Sequence, residues 1–149
     1  MKFKVDVSGL EAGDIIEQPI CETIIGFDRS TKMYEFNFEL MQLAEYVQSQ
    51  LWKIGKQLTV VSHKGSIRVL THAEASEYNA SRFDNAIKKM RKCHKRLVAV
   101  NTGGFDQESK NAHSSSLVKT SRILTAIKST RTEVVMEPHV SIVPKMSLS

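Results

Sequence analysis

Cysteine is scarce in this chain. Its 149 residues hold two, Cys21 and Cys93, far apart in sequence. Two thiols cannot build a disulfide framework, which excludes a small stapled secreted module. The expected state is two reduced, mostly buried thiols in a reducing, cytoplasmic compartment. Long apolar runs are also missing. No run approaches the ~18 residues that a membrane span needs. The opening Lys2-Phe3-Lys4-Val5-Asp6-Val7 alternates polar and apolar residues, whereas a secretory signal carries a continuous apolar block. The expectation is a soluble protein without a membrane partner. Catalytic signatures are absent too. There is no Walker A loop, no G-x-G-x-x-G, no G-x-S-x-G and no H-E-x-x-H. Gly103-Gly104 is too short for a phosphate cradle, and no tight carboxylate pair lies in an apolar stretch. No cofactor and no metal are therefore expected.

What is present fits a globular chain. Hydrophobic residues make up 41% and charged residues 25%, enough to form a core and too apolar for wholesale disorder. No repeat, low-complexity segment or Pro/Ser/Gly-rich linker divides residues 1–149, so a single domain is expected. The net charge of +5 is unevenly placed. Residues 1–57 hold six Lys/Arg against nine Asp/Glu, or −3, and residues 58–149 hold fifteen against seven, or +8. An acidic half followed by a basic half points to one surface for an anionic partner.

Periodicity outlines the elements. Phe3, Val5 and Val7 predict a half-buried strand over 2–8, and β-forming residues predict another at about 20–27. Asn37 is the candidate N-cap of a helix with Leu40, Leu43, Ala44, Val47, Leu51 and Ile54 on one stripe, ended by Gly55. Met41 and Trp52 lie on another side of it. Residues 58–61 and 66–70 flank His63-Lys64-Gly65, the clearest hairpin signal in the chain. Thr71 and Glu74 form a capping box that opens a helix over 72–98, with a break expected near Asn79, where the apolar stripe drifts. A third helix is predicted over 108–129, strand over 132–136 and 140–143, and a loose tail over 144–149. The predicted class is α+β: about three helices on a small, mostly antiparallel sheet.

The strongest local feature is Lys88-Lys89-Met90-Arg91-Lys92-Cys93-His94-Lys95-Arg96. On a helix, Phe83, Ala86, Ile87, Met90, His94 and Leu97 face one way. Lys88, Lys92, Lys95 and Arg96 face the other, with Lys89 and Arg91 at the flanks. Such a row can neutralise phosphates along a nucleic-acid backbone. Lys119 and Arg122 on the next helix and Lys64 and Arg68 on the hairpin extend the candidate site, since a helix and a β-ribbon both fit a major groove. A solvated helix face normally mixes charge signs, yet no carboxylate occurs between Asp84 and Asp106. Aromatic interleaving is poor, which favours phosphate contact over a base-stacking platform.

The histidines carry weaker signals. His94 sits centrally on the apolar stripe, where a packed, hydrogen-bonded role is the ordinary one. Cys93-His94 with Cys21, His63 or His72 has no zinc-ligand spacing. His113 precedes Ser114-Ser115-Ser116 with no third member for a catalytic set. His139-Val140-Ser141-Ile142 resembles one half of the paired H-x-S/T motif of the two-histidine phosphoesterases. That resemblance implies an imidazole acting as acid or base on a phosphodiester.

These observations rank three functions. First is a non-enzymatic nucleic-acid-binding accessory or regulatory protein. Second is a protein-binding adaptor or inhibitor using the acidic half or the helix around Met41, Tyr46 and Trp52, although a tryptophan in such a helix is more often core. Third is a phosphodiesterase using His139. Small size and a basic second half are compatible with an accessory protein of a phage or mobile element.

Overall fold

A computed structural model describes residues 3–136, with side chains as far as residue 130. Along it run β1 (Ile15–Ile16), α1 (Gln18–Ile25), α2 (Met33–Lys53), β2 (Val60–His63), β3 (Ser66–Val69), α3 (His72–Val98) and α4 (Gln107–Met136). The chain is α+β, with an antiparallel sheet in the order β1-β3-β2. It divides into two compact units, Met1–Arg82 and Phe83–Ser149.

In the first unit the 3.6-residue stripe of α2 provides most of the core. Phe36, Leu40, Leu43, Ala44, Val47 and Leu51 are all buried, against Ile67 and Val69 of β3 and Cys21 of α1. Fully burying one such large apolar side chain contributes about 1.5–3 kcal/mol, so packing outweighs helix propensity in fixing α2. The helix begins a turn before Asn37. Lys32 occupies the cap position and reaches Glu35 at 3.3 Å. Ile54 follows the last helical residue and is half exposed rather than inward.

Two strands expected in the first unit are not formed. β-Propensity predicts a strand over 20–27, but Gln18–Ile25 is helical. Pro19 lies in its first turn, where its missing N–H costs nothing and its fixed φ suits a helix. Gly26 closes the helix in a left-handed conformation (φ +98°), its N–H donating to the Glu22 carbonyl at 2.7 Å. Cys21 then points inward from α1, its Sγ donating to the Ile16 carbonyl, and burial pushes its thiol up. Residues 3–7 show the expected alternation, with Phe3 and Val7 buried, but enter no ladder. The sheet edge beside β3 is taken by β1, Ile15 opposite Arg68 and Ile16 opposite Ile67. The segment before β1 is instead tied down by Lys56, whose Nζ donates to the Ser8 and Leu10 carbonyls and pairs with Glu11.

The β2–β3 hairpin forms as predicted, Val60 opposite Val69 and His63 opposite Ser66. Lys64 and Gly65 make its two-residue turn with φ of +46° and +87°, the primed geometry that matches strand twist. Gly65 has a second constraint, because a Cβ there would collide with the Gln18 side-chain amide. The capping box also forms. Glu74 accepts from the Thr71 N–H at 2.9 Å, and the Thr71 Oγ1 accepts from the Glu74 N–H at 3.3 Å.

Helix α3 is continuous from His72 to Val98, without the break expected near Asn79. Asn79 Nδ2 donates to the Ala75 carbonyl and to Thr59 Oγ1, so this turn stays helical while binding the β2 approach. The stripe drifts there because the two parts of the helix belong to different units. In the second unit, α4 starts one residue before the predicted 108 and runs on to Met136. Residues 132–136 are therefore helical, not strand. Their β-branched Thr and Val residues have only modestly lower helix propensity, which continuation of an established helix overrides. The predicted strand at 140–143 and the tail at 144–149 lie outside the described residues.

Candidate nucleic-acid interface

Asp106 caps α4, accepting the Ser109 N–H at 2.8 Å, and the Ser109 hydroxyl and N–H hold its carboxyl below the ordinary value. The eight residues 99–106 between α3 and α4 make the pair antiparallel. A side-chain contact joins α3 to α4, and a ring contact ties the intervening loop to α4. His94 Nδ1 lies 2.7 Å from Thr120 Oγ1, whose hydroxyl is also within 2.9 Å of the Ser116 carbonyl. The Phe105 and His113 rings meet edge-to-face at 6.1 Å between centroids. Both histidines thus have structural partners. Ser116 lies inside the helix and donates to the Ala112 carbonyl.

With His94 turned toward α4, the opposite arc of α3 is basic. Lys88, Lys89, Arg91, Lys92, Lys95 and Arg96 are all exposed, and no carboxylate pairs with any of them among the described residues. From Lys88 to Arg96 the helix rises roughly 12 Å, so the row carries about one cation per 2 Å. B-DNA carries one phosphate charge per ~1.7 Å of axis. The two charge densities match. Beside the row runs a groove of about 640 Å³, bordered by Lys88, Arg91 and Asp84 together with Phe83, Ile87 and Ile127. Phe83 is 66% exposed, which places one aromatic ring next to two cations.

The other predicted contacts lie on different elements. Lys119 and Arg122 are exposed on α4 of the same unit, and Arg122 borders a shallow groove with His94 and Val98 of α3. Lys64 and Arg68 belong to the first unit. Lys64 is exposed at the hairpin turn, whereas the Arg68 guanidinium already holds Glu74 at 3.0 Å. Thr71 and then Arg68 keep the Glu74 carboxyl below its ordinary value. Cys93, expected to be buried, is exposed on α3.

Two further readings meet the geometry differently. Among the described residues no group of three metal-ligating side chains comes together. His139 and its H-x-S motif lie outside the described residues. The α2 surface adds something that the periodicity only hinted at. Tyr34, Phe38, Met41 and Trp52 share the face opposite the buried stripe and are all more than half exposed. Trp52, weighed above as core, is 54% exposed, although its indole N–H donates to the Leu58 carbonyl at 3.0 Å. Tyr46 packs against the core and the Phe3 ring instead. No helix among the described residues is long and apolar enough to cross a membrane. The chain matches no protein-family model, no curated protein and no solved structure.

Proposed function

We propose that this chain is a non-enzymatic nucleic-acid-binding protein that grips the phosphate backbone with the outer arc of α3. The observation that carries this reading is a row of six exposed cations, unpaired among the described residues, on the side of α3 away from α4. Such a row is costly for an isolated helix. Lys92 has cations at all four of its helical neighbours, Lys88, Lys89, Lys95 and Arg96, and each like-charged pair destabilises a helix by about 0.2–0.5 kcal/mol. An anionic partner offsets that repulsion. Phe83, beside Lys88 and Arg91, is positioned to stack on one unpaired base. Lys89 and Arg91 widen the arc. The test is a titration with duplex DNA, single-stranded DNA and RNA across salt concentrations. Affinity that falls steeply with salt supports the proposal, and no binding at low salt refutes it.

A second reading rests on a separate observation, the exposed face of α2. Tyr34, Phe38, Met41 and Trp52 form an apolar strip with Glu45 on the same face. Aromatic anchors of this kind concentrate binding energy in protein interfaces. The corresponding function is a protein-binding adaptor or inhibitor. Its signature is a Trp52 fluorescence signal open to a soluble quencher in the free protein and closed in a complex. Quenching that is already blocked in the free monomer argues against Trp52 as an anchor.

A further inference from the structure

The groove beside the basic row is lined unlike a strip that meets phosphate alone. Its floor is apolar, Ile87 of α3 with Ala126 and Ile127 of α4. Phe83 is the first α3 residue along it and is 66% exposed. Lys88 and Arg91 border it, and so does one carboxylate, Asp84. Phosphate contact needs neither the ring nor the apolar floor, and a carboxylate opposes it.

Helical spacing sets these groups in two short columns. Phe83, Ile87 and Arg91 follow one another at intervals of four residues, and Asp84 and Lys88 repeat that interval one residue on. Each step is about 6 Å along the helix. The polar groups are open to a ligand. Asp84 and Lys88 have the spacing of a helical ion pair but do not form one. Among the described residues the side chains of Asp84, Lys88 and Arg91 have no hydrogen-bond or ion-pair partner. Thr130, also on the border, already donates its hydroxyl to the Ala126 carbonyl at 2.9 Å.

Each feature answers to one part of a nucleotide. An exposed ring stacks on a base face, the apolar floor shields the base from water, and the cations meet the flanking phosphates. The groove volume of about 640 Å³ falls in the range of roughly 300–1,000 Å³ usual for small organic ligands. Asp84 decides which base. An ionised carboxylate only accepts hydrogen bonds. The Watson–Crick edge of guanine presents two adjacent donors, N1–H and the 2-amino group, one for each carboxylate oxygen. Adenine and cytosine each set an amino group beside a ring-nitrogen acceptor. Thymine and uracil set one N–H between two carbonyls. Each of these would turn a lone pair toward Asp84.

We propose that this groove holds a single unpaired guanine of a single-stranded nucleic acid. Phe83 stacks on the base, Asp84 accepts from its Watson–Crick edge, and Lys88 and Arg91 hold the flanking phosphates. The proposal rests on the nucleic-acid reading above and adds the base that is read. In a duplex that edge is paired and the base faces are stacked, so duplex meets the basic row without entering the groove.

The experiment is fluorescence anisotropy of the full chain with short labelled thymidine strands. Each strand carries one central guanine, hypoxanthine, adenine or cytosine, and salt is varied. The guanine strand should bind about tenfold tighter than the adenine and cytosine strands, the scale of one hydrogen bond to a charged group. Hypoxanthine keeps N1–H but lacks the 2-amino group, so its strand should fall between them, a comparison that needs no protein variant. Asp84→Asn should remove the guanine preference. Because it also removes a negative charge, affinity for the other strands should hold or rise, so a loss confined to guanine is not a general electrostatic effect. Phe83→Ala should weaken every strand by about tenfold with the salt slope retained. Both positions are exposed, and circular dichroism checks that helicity is kept. Equal affinity for all four strands with a normal salt dependence overturns the guanine site and leaves backbone binding standing. A guanine preference unchanged in Asp84→Asn also overturns it. No binding of any strand at low salt overturns both readings.

Discussion

Reversing the charge at Lys92 moves two observables in opposite directions. Lys92 lies at the centre of the basic row with a cation at each of its positions three and four residues away. Lys92→Glu converts four repulsive helical pairs into four attractive ones. At about 0.2–0.5 kcal/mol per pair on each side of zero, the helix is stabilised by roughly 2 kcal/mol at low salt. Nucleic-acid affinity falls. If the four central cations, Lys88, Lys92, Lys95 and Arg96, each neutralise one phosphate, the slope of log affinity against log salt is about −3.6, or roughly 150-fold between 50 and 200 mM. In Lys92→Glu/Arg96→Glu two of these contacts vanish. The slope shrinks to about −1.8, and affinity at 0.1 M salt falls at least ~60-fold, before the added repulsion of two carboxylates. The assay is fluorescence anisotropy on a labelled duplex and a labelled single strand at four or more salt concentrations, alongside thermal unfolding of the single and double variants. Loss of binding in a more stable Lys92→Glu protein cannot be ascribed to misfolding. An unchanged affinity and slope in the double variant would refute the assignment and leave the row as a solvated face.

Other expectations concern the scaffold. Gly65→Ala forces a side chain into a left-handed turn position and against Gln18, so it should destabilise the chain by about 1–2 kcal/mol in urea unfolding, whereas Gly104→Ala, with open space around it, should be near neutral. Acid should loosen two helix starts. Glu74 and Asp106 have carboxyls held below their ordinary values by Thr71 and by Ser109. Their contribution is therefore fully present above the ordinary carboxylate range and is lost as pH falls through the lowered folded values. Helicity followed by circular dichroism from pH 6 to 2 should drop in that window, and Asp106→Asn, which caps without a charge, should flatten the fall. An acid limb identical in the variant would show that Asp106 contributes nothing to it.

Much of this architecture is written in local pattern. The α2 stripe from Leu40 to Leu51, the two-residue turn at Lys64-Gly65 and the Thr71–Glu74 capping box depend on neighbours within a few residues, so the sequence determined them unaided. It also determined the acid-free basic row opposite Met90 and His94, because helical period alone separates those faces. Tertiary structure decided what depends on a distant partner. Residues 20–25 have β-forming composition, but Pro19 and Gly26 frame a helix there and Cys21 packs from it into the core. Residues 3–7 alternate like a strand, yet β1 held the edge of β3 that they needed. The same distinction governs the candidate site. Sequence grouped Arg68 and Arg122 with the basic row; in the fold Arg68 is held by Glu74 and Arg122 is exposed on α4. Alternation states which side chains prefer burial, but only the partner across the ladder or the seam determines whether the backbone extends or coils and which cations remain free.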